Sequence, residues 1–271
     1  MRQRPRGDSR GILAPGRLLR QVRFRRHLPA PALRPWVEHY WFVDWDLAEP
    51  FAQQVVPHPA VNVVFRRDGD GPETAEVAGV GRELFSITLV GSGRVSGVQF
   101  RPGGFRPFWP GPVAELTGLR RSFADLAGRW PPARDHTGGA CDGTDAERCH
   151  VLDTLLTGWA PASDPVTDEV IRLVEEIRTD RTVLRVDAFA RRHGLSTRRL
   201  QRLFLDRVGV GPKWVIRRYR IQEAIEQAAD GPPPDWARLA ADLGYSDQAH
   251  LIREFTAVTG RSPAAYARSV G

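Results

Sequence analysis

The chain has 271 residues, 41% of them hydrophobic and 26% charged, a length and composition typical of one large or two ordinary folded domains. Its formal net charge of +7 favours a polyanionic partner over an acidic substrate. Two cysteines exclude a disulfide scaffold, and the lack of a long apolar run excludes a membrane span. We therefore expect a reducing, cytoplasmic setting.

The first 26 residues are strongly basic and carry little apolar periodicity. Nine arginines stand against a single acidic residue, Asp8. The one apolar patch, Ile12–Leu19, is interrupted by Pro15 and Arg17, which excludes a secretory signal. We predict a disordered basic tail over residues 1–26. It is either an arm that touches phosphates or a stretch that precedes the true start codon.

Residues 27–160 predict a β-rich domain. Their extended segments are rich in aromatic and β-branched residues and are separated by proline or glycine. The predicted strands are Trp36–Trp45, Val55–Val56, Val61–Phe65, Phe85–Val90 and Arg94–Phe100. Gly91–Gly93, between the last two, indicates a hairpin. Short and closely spaced strands favour an antiparallel sheet or a small barrel.

Helical patterns follow these strands. They are Pro112 opening Val113–Leu116, Ser122 capping Phe123–Gly128, and a Thr144–Glu147 capping box opening a helix to Trp159. Residues 131–143 predict a loop, and residues 160–165 predict the linker to a second domain.

This first domain contains none of the common catalytic motifs, and we expect no enzyme activity, no cofactor and no bound metal. His58, between two prolines, is expected to serve a turn rather than a ligand. The residues of zinc-ligand type are His136, Cys141, Cys149 and His150. Cys149 shares a helical face with Leu152 and Leu156, which favours a core cysteine over a zinc ligand.

The C-terminal part contains a helix-turn-helix pattern. Ala190 supplies the small residue where two helices cross, and Gly194 supplies a turn residue that accepts a positive φ. Ser196 caps the second helix, which has one apolar face and one polar face. The apolar anchors are Leu200, Leu203 and Phe204, and the opposite face presents Arg198, Gln201 and Arg202, with Arg199 to the side.

The same pattern recurs further along the chain. Ala240 and Gly244 repeat the crossing and the turn, and Asp247 is the expected cap, which makes this turn one residue longer. Between the two units, residues 212–230 predict a single linker helix of about 18 residues, or about 27 Å. Such a helix suits two recognition helices about 34 Å apart, the separation of successive major-groove segments. One monomer would then read two adjacent segments.

Residues 166–271 resemble the DNA-binding domain of the AraC/XylS family of bacterial transcription regulators. The resemblance rests on Leu195-Ser196-x3-Leu200-x2-Leu203-Phe204, Gly209-x2-Pro212, Arg220, Ala240-x3-Gly244-Tyr245-Ser246-Asp247, Leu251, Arg253, Phe255, Gly260-x-Ser262-Pro263 and Tyr266. It implies an all-α domain of seven helices with helix-turn-helix units at residues 187–207 and 236–258. The second helix of each unit is expected in the major groove.

The resemblance and the pattern together assign roles on DNA. The expected base-reading residues are Arg198, Gln201, Arg202, Gln248, Ala249, Ile252 and Arg253. The expected phosphate contacts are Ser196, Arg199, Arg217 and Arg218, with His250 either at a phosphate or simply exposed. Residues 186–220 hold ten basic and two acidic side chains, whereas residues 221–271 hold four and seven. We therefore expect the first unit to supply most of the affinity.

The N-terminal domain resembles a domain found in some members of that family, through Val98-x-Phe100-Arg101-Pro102-Gly103-Gly104-Phe105 and Pro57-x5-Val63-Val64-Phe65. The resemblance implies no particular ligand. Alkylation-repair relatives carry a four-cysteine zinc site, which two cysteines cannot build. Methyl transfer is therefore not expected.

We predict an α+β protein, with a β-rich sensor or dimerisation domain followed by an all-α DNA-binding domain, that acts as a sequence-specific transcription regulator. Its expected partner is double-stranded DNA. RNA polymerase, a small-molecule effector and a second copy bound through residues 27–160 are further candidates. The alternative is an enzyme or small-molecule carrier domain fused to a DNA-binding module.

Overall fold

A computed structural model describes residues 11–13, 15–130, 138–159, 164–229 and 234–270. The N-terminal half is built on a six-stranded antiparallel sheet in the order β1-β2-β5-β3-β4-β6. The strands are β1 (Val22–His27), β2 (Val37–Val55), β3 (Asn62–Asp68), β4 (Thr74–Ala78), β5 (Phe85–Phe100) and β6 (Arg120–Ser122). The expected antiparallel sheet is confirmed.

The predicted hairpin at Gly91–Gly93 is wrong, because β5 continues straight through these residues. Gly91 pairs with Leu47 and Gly93 with Trp45 of the long strand β2. A Cβ atom on Gly93 would lie 2.2 Å from the Trp45 ring. The glycine therefore lets an indole lie flat on the sheet, and it does not reverse the chain.

The sequence predicted a disordered tail over residues 1–26, and this prediction is wrong for residues 15–26. Helix α1 (Pro15–Gln21) and strand β1 occupy this segment. Leu18 and Val22 are buried with Phe51 and Leu89 on one face of the sheet, so the sheet, rather than local periodicity, orders the segment. Residues 1–10 lie outside the described part of the chain.

The opposite face of the sheet packs against short helices. A 3₁₀ turn at Val113–Leu116 follows Pro112, and α2 (Phe123–Leu126) begins at Ser122, whose hydroxyl accepts the Asp125 N–H at 3.1 Å. Further 3₁₀ turns cover Pro31–Leu33 and Arg106–Phe108. Helix α3 (Asp145–Gly158) begins with the predicted Thr144–Glu147 capping box. These short-range expectations are confirmed.

The cysteines belong to the apolar cluster formed between the sheet and these short helices. Cys141 is buried and Cys149 is half-buried against the same cluster. Burial raises the pKa of Cys141 to about 12 and that of Cys149 to about 11, so both are thiols at neutral pH. His136 lies outside the described residues and His150 is exposed. The described residues contain no cluster of three or more potential metal ligands.

The C-terminal half has seven helices among its described residues, as the resemblance implies. They are α4 (Pro165–Thr179), α5 (Val186–Arg192), α6 (Thr197–Arg207), α7 (Pro212–Ala229), α8 (Trp236–Asp242), α9 (Gln248–Thr259) and α10 (Pro263–Val270). Across the described ranges, no helix combines the length and apolarity that a bilayer span requires.

The two halves pack directly against each other. Val80, in the loop between β4 and β5, is fully buried within the apolar cluster of α4, α5, α6 and α7. Leu84, from the same loop, packs against the cluster that contains Phe255. The Thr117 hydroxyl donates to the Gly209 carbonyl at 2.6 Å, and Arg106 pairs with Asp206 at 3.2 Å. The N-terminal domain thus contacts the cores of both helix-turn-helix units.

Candidate nucleic-acid interface

The first unit consists of α5, a tight turn and α6. Ala190 is buried, and its carbonyl accepts the Leu195 N–H at 2.9 Å, which closes the turn. Gly194 has φ of 64°, the left-handed conformation that favours glycine. The Ser196 hydroxyl then accepts the Arg199 N–H at 3.2 Å and caps α6.

Helix α6 presents one polar face to solvent. Leu200 and Phe204 are fully buried and fix the rotation of the helix. Consequently, the predicted base-reading residues Arg198, Gln201 and Arg202 are all exposed on the opposite face. Arg198, Arg199 and Arg202 make no ion pair with any residue of the described ranges. Their guanidinium groups therefore remain available to phosphates and guanine edges.

The second unit, α8 and α9, repeats this construction. The Ala240 carbonyl accepts the Tyr245 N–H at 2.9 Å, the same closure and distance as in the first unit, and Gly244 has φ of 75°. Asp247 is the cap and accepts the His250 N–H at 2.7 Å. The cap is one residue later than in the first unit, as the sequence predicted.

The exposed face of α9 is less basic than that of α6. Gln248, Ala249 and Arg253 are exposed, and Ile252 is half-buried. His250 is also half-buried, with its ring 5.2 Å from that of Tyr245 and its Nδ1 3.2 Å from the Ser246 hydroxyl. One arginine stands on this recognition face, compared with two on the corresponding face of α6.

The linker helix α7 joins the two units, and two of its arginines were assigned to phosphates from the sequence. Arg217 is half-exposed and forms an ion pair with Glu254 of α9, with Nη2 and Oε2 2.6 Å apart. A DNA phosphate must therefore compete with the Glu254 carboxylate for the Arg217 guanidinium. The pair holds the pKa of Arg217 above its usual value, through the hydrogen bond to Glu254.

The burial of the Arg218 side chain argues against its assignment to a phosphate. Only 6% of the residue is exposed. Its guanidinium lies over the Trp214 ring and donates to the Arg82 carbonyl of the N-terminal domain at 3.2 Å. The signal for burial was its spacing of three from Val215 and from Ile221, which are both fully buried.

Arg220 is buried too, and it has a structural role. One terminal nitrogen donates to the carbonyls of Ile177 at 2.9 Å and Asp180 at 2.7 Å. These carbonyls lie at the C-terminal end of α4 and just beyond it, where backbone acceptors lack helical partners. Arg220 therefore fixes α4 to the linker helix.

Comparison with known families agrees with this architecture. Residues 189–269 match a helix-turn-helix domain family of the AraC type. Residues 25–121 match a domain of unknown function, DUF6597. No curated protein matches the chain.

Among solved structures, several of ToxT from Vibrio cholerae are similar. One is 10% identical, covers 92% of this chain and 98% of ToxT, and has a TM-score of 0.42. ToxT bound to (E)-4-(8-methylnaphthalen-1-yl)but-3-enoic acid is 11% identical, with coverages of 92% and 99% and a TM-score of 0.44. ToxT bound to an unsaturated fatty acid is 13% identical, with coverages of 84% and 94% and a TM-score of 0.42.

The functional class follows from the helix-turn-helix match and from the construction of the two units. The match to this domain family points to a transcription regulator. The chain thus carries a helix-turn-helix domain of the AraC type over residues 189–269 and a DUF6597 domain over residues 25–121, and the former supports a DNA-binding transcription regulator.

Proposed function

We propose that this protein reads two adjacent major-groove segments of one DNA duplex, with α6 in one segment and α9 in the next. The observation that carries the proposal is the repeated turn. Leu195 N–H to Ala190 and Tyr245 N–H to Ala240 close the two turns at the same 2.9 Å distance. The two recognition helices are connected through one linker helix of 18 residues, about 27 Å long, a scale that suits one turn of B-form DNA.

On the first segment, Arg198 and Arg202 would each donate two hydrogen bonds to a guanine, and Gln201 would pair with an adenine. All three are exposed on one face of α6. Ser196 and Arg199, at the start of that helix, would position it on the backbone, because a helix N-terminus and a nearby guanidinium both suit a phosphate.

On the second segment, α9 would make fewer hydrogen bonds to bases than α6 makes on the first. Gln248 and Arg253 would donate to bases, whereas Ala249 and Ile252 would contact thymine methyl groups. His250 and Arg217 would approach phosphates. Arg217 can do so only by sharing or leaving its partner Glu254.

We assign regulation to the N-terminal domain, which contacts the cores of both units through Val80 and Leu84. Binding of an effector or of a second copy of the chain could change the conformation of that domain. Such a change would alter the packing of both units at once. Regulation would be exerted on RNA polymerase at a promoter in the cytoplasm.

The test is a selection of bound duplexes from a random pool with the full-length protein. We expect two short conserved blocks whose centres lie about one helical turn apart. The same selection with Arg202→Ala should lose information in one block alone, and with Arg253→Ala in the other. A single block for the wild-type protein, or a loss in the same block for both variants, would refute the two-segment proposal.

A further inference from the structure

A cleft of about 570 Å³ opens where the linker helix α7, the second recognition helix α9 and the N-terminal domain meet. Lys213, Trp214 and Arg218 line it from α7, Ala257 and Val258 from α9, and Arg82 from the loop before β5. Its size lies within the range of small-molecule sites, which are mainly apolar and carry a few placed polar groups.

The lining is unbalanced in charge. It contains four cationic side chains, Arg82, Lys213, Arg217 and Arg218, and a single carboxylate, that of Glu254. Glu254 is engaged by Arg217, with Nη2 and Oε2 2.6 Å apart. Glu254 also favours the charged form of Arg218, but one carboxylate cannot balance four cations, and this excess of positive charge favours an anion there.

Arg218 is the strongest indication of a ligand. It is 6% exposed, and its Nη2 donates to the Arg82 carbonyl at 3.2 Å. Its Nη1 is buried and has no hydrogen-bond partner within the described residues. Burial lowers the pKa of Arg218 to about 10, so it is still cationic at neutral pH. An unsatisfied buried guanidinium N–H is costly, and an acceptor on a bound ligand would satisfy it.

The rest of the lining is apolar. Trp214 carries the Arg218 guanidinium 4.5 Å from its ring centroid, and Ile221, Ala257 and Val258 extend the surface. A bare inorganic ion would leave these side chains uncovered. A molecule with one oxyanion and a compact apolar body would satisfy both parts of the lining.

We propose that this cleft binds a small organic anion whose oxyanion accepts from Arg218 Nη1, beside Lys213 and Arg82. The apolar part of the ligand lies against Trp214, Ile221 and Val258. A DNA phosphate is the less suitable occupant, because the acceptor position is recessed among apolar side chains while a backbone phosphate remains at the surface of the duplex. The site does not depend on the proposed reading of DNA.

The test uses the full-length protein without DNA and three probes. These are 3-phenylpropionate, its uncharged match 3-phenylpropionamide, and inorganic phosphate at the same ionic strength. Binding is measured by isothermal titration and by the shift in melting temperature. We expect saturable binding of 3-phenylpropionate, at least tenfold weaker binding of the amide, and at least tenfold weaker binding of phosphate.

Two variants locate the site. Arg218→Met removes the unsatisfied guanidinium but keeps an apolar stem of similar length, and Lys213→Gln changes an exposed residue that leaves the fold undisturbed. We expect Arg218→Met to weaken binding of 3-phenylpropionate at least tenfold in a protein that still melts cooperatively, and Lys213→Gln to weaken it severalfold. Arg238→Gln, on the exposed surface of α8, is the matched control and should bind normally.

Three outcomes would overturn the proposal. The first is no saturable binding of 3-phenylpropionate, and the second is equal binding of the amide or of phosphate. The third is wild-type binding by both Arg218→Met and Lys213→Gln. If Arg218→Met fails to fold, wild-type binding by Lys213→Gln is by itself enough to overturn the proposal.

Discussion

Arg217 and Glu254 join the linker helix to the second recognition helix. The Arg217 Nε lies 3.1 Å from both carboxylate oxygens of Glu254, and its Nη2 lies 2.6 Å from one of them. The two partners differ in environment, because 49% of the Arg217 side chain is exposed against 12% for Glu254. The pair therefore fixes the orientation of α9 while leaving one face of Arg217 to solvent.

This asymmetry predicts unequal costs for removing the two partners. Arg217→Gln leaves a buried carboxylate without its cation and should lower the free energy of unfolding by roughly 2 kcal/mol. Glu254→Gln leaves a guanidinium that water can still solvate, and should cost about 1 kcal/mol or less. Urea unfolding of both variants measures the difference, with Arg238→Gln as a control. A larger loss for Glu254→Gln would contradict this account of the pair.

The two recognition helices should contribute unequally to DNA affinity. Arg202→Ala, on the more basic helix α6, should weaken binding to the selected site by about tenfold to a hundredfold, since a lost guanine contact is worth about 1–3 kcal/mol. Arg253→Ala should cost less. Fluorescence anisotropy with one duplex compares them, and Arg34→Ala, an exposed arginine of the N-terminal domain, controls for the change in net charge. An equal or greater loss for Arg253→Ala would show that α9 is the main reader.

Salt dependence distinguishes arginines at phosphates from buried ones. DNA affinity should fall steeply with added salt, because each neutralised phosphate releases counterions. Arg199→Ala should reduce the slope of log affinity against log salt by about 1, equally for specific and random duplexes. Arg218→Met should leave that slope unchanged, because the Arg218 guanidinium is buried in the protein. A reduced slope for Arg218→Met would show that Arg218 contacts a phosphate.

Acid stability should depend on Asp145, at the start of α3. Its carboxylate accepts from Arg25 Nε at 3.0 Å and lies 3.2 Å from His27 Nε2. The hydrogen bond to Arg25 is the main reason that the pKa of Asp145 falls to about 2. Because the folded-state pKa is below the unfolded value near 3.9, the stabilisation is present above pH 4 and disappears as the pH falls towards 2.

The full difference in pKa corresponds to about 2.5 kcal/mol, and Asp145→Asn should remove it. Urea unfolding across this pH window should therefore give a flatter stability curve for Asp145→Asn than for the wild type. Asp125→Asn, at an exposed position of α2, serves as the control and should follow the wild-type curve. Parallel curves for Asp145→Asn and the wild type would mean that the ion pair adds nothing to folding.

Short-range features of this fold were predictable from the sequence. Caps such as Ser196 and Asp247 and the turn glycines Gly194 and Gly244 act within a few residues, and the structure confirms each of them. The exposure of Arg198, Gln201 and Arg202 followed from the buried positions of Leu200 and Phe204 on the same helix. Their roles on DNA remain predictions.

Long-range features were not predictable in the same way. Gly91–Gly93 lies within a strand because β2 pairs along it, and α1 is ordered because Leu18 packs on the sheet. Arg218 is buried because the N-terminal domain approaches α7 and its Arg82 carbonyl accepts a hydrogen bond. Each outcome depends on residues far away in the chain, which no local pattern reports.

The burial of Val80 inside the helical half bears on how the protein can be dissected. Cutting the chain between its halves would leave an exposed apolar cavity on the C-terminal fragment. It would also leave the Val80 side chain exposed on the N-terminal fragment. Each fragment would be prone to self-association, so that weak operator binding by the isolated C-terminal fragment would report poor solubility as much as lost contacts to DNA.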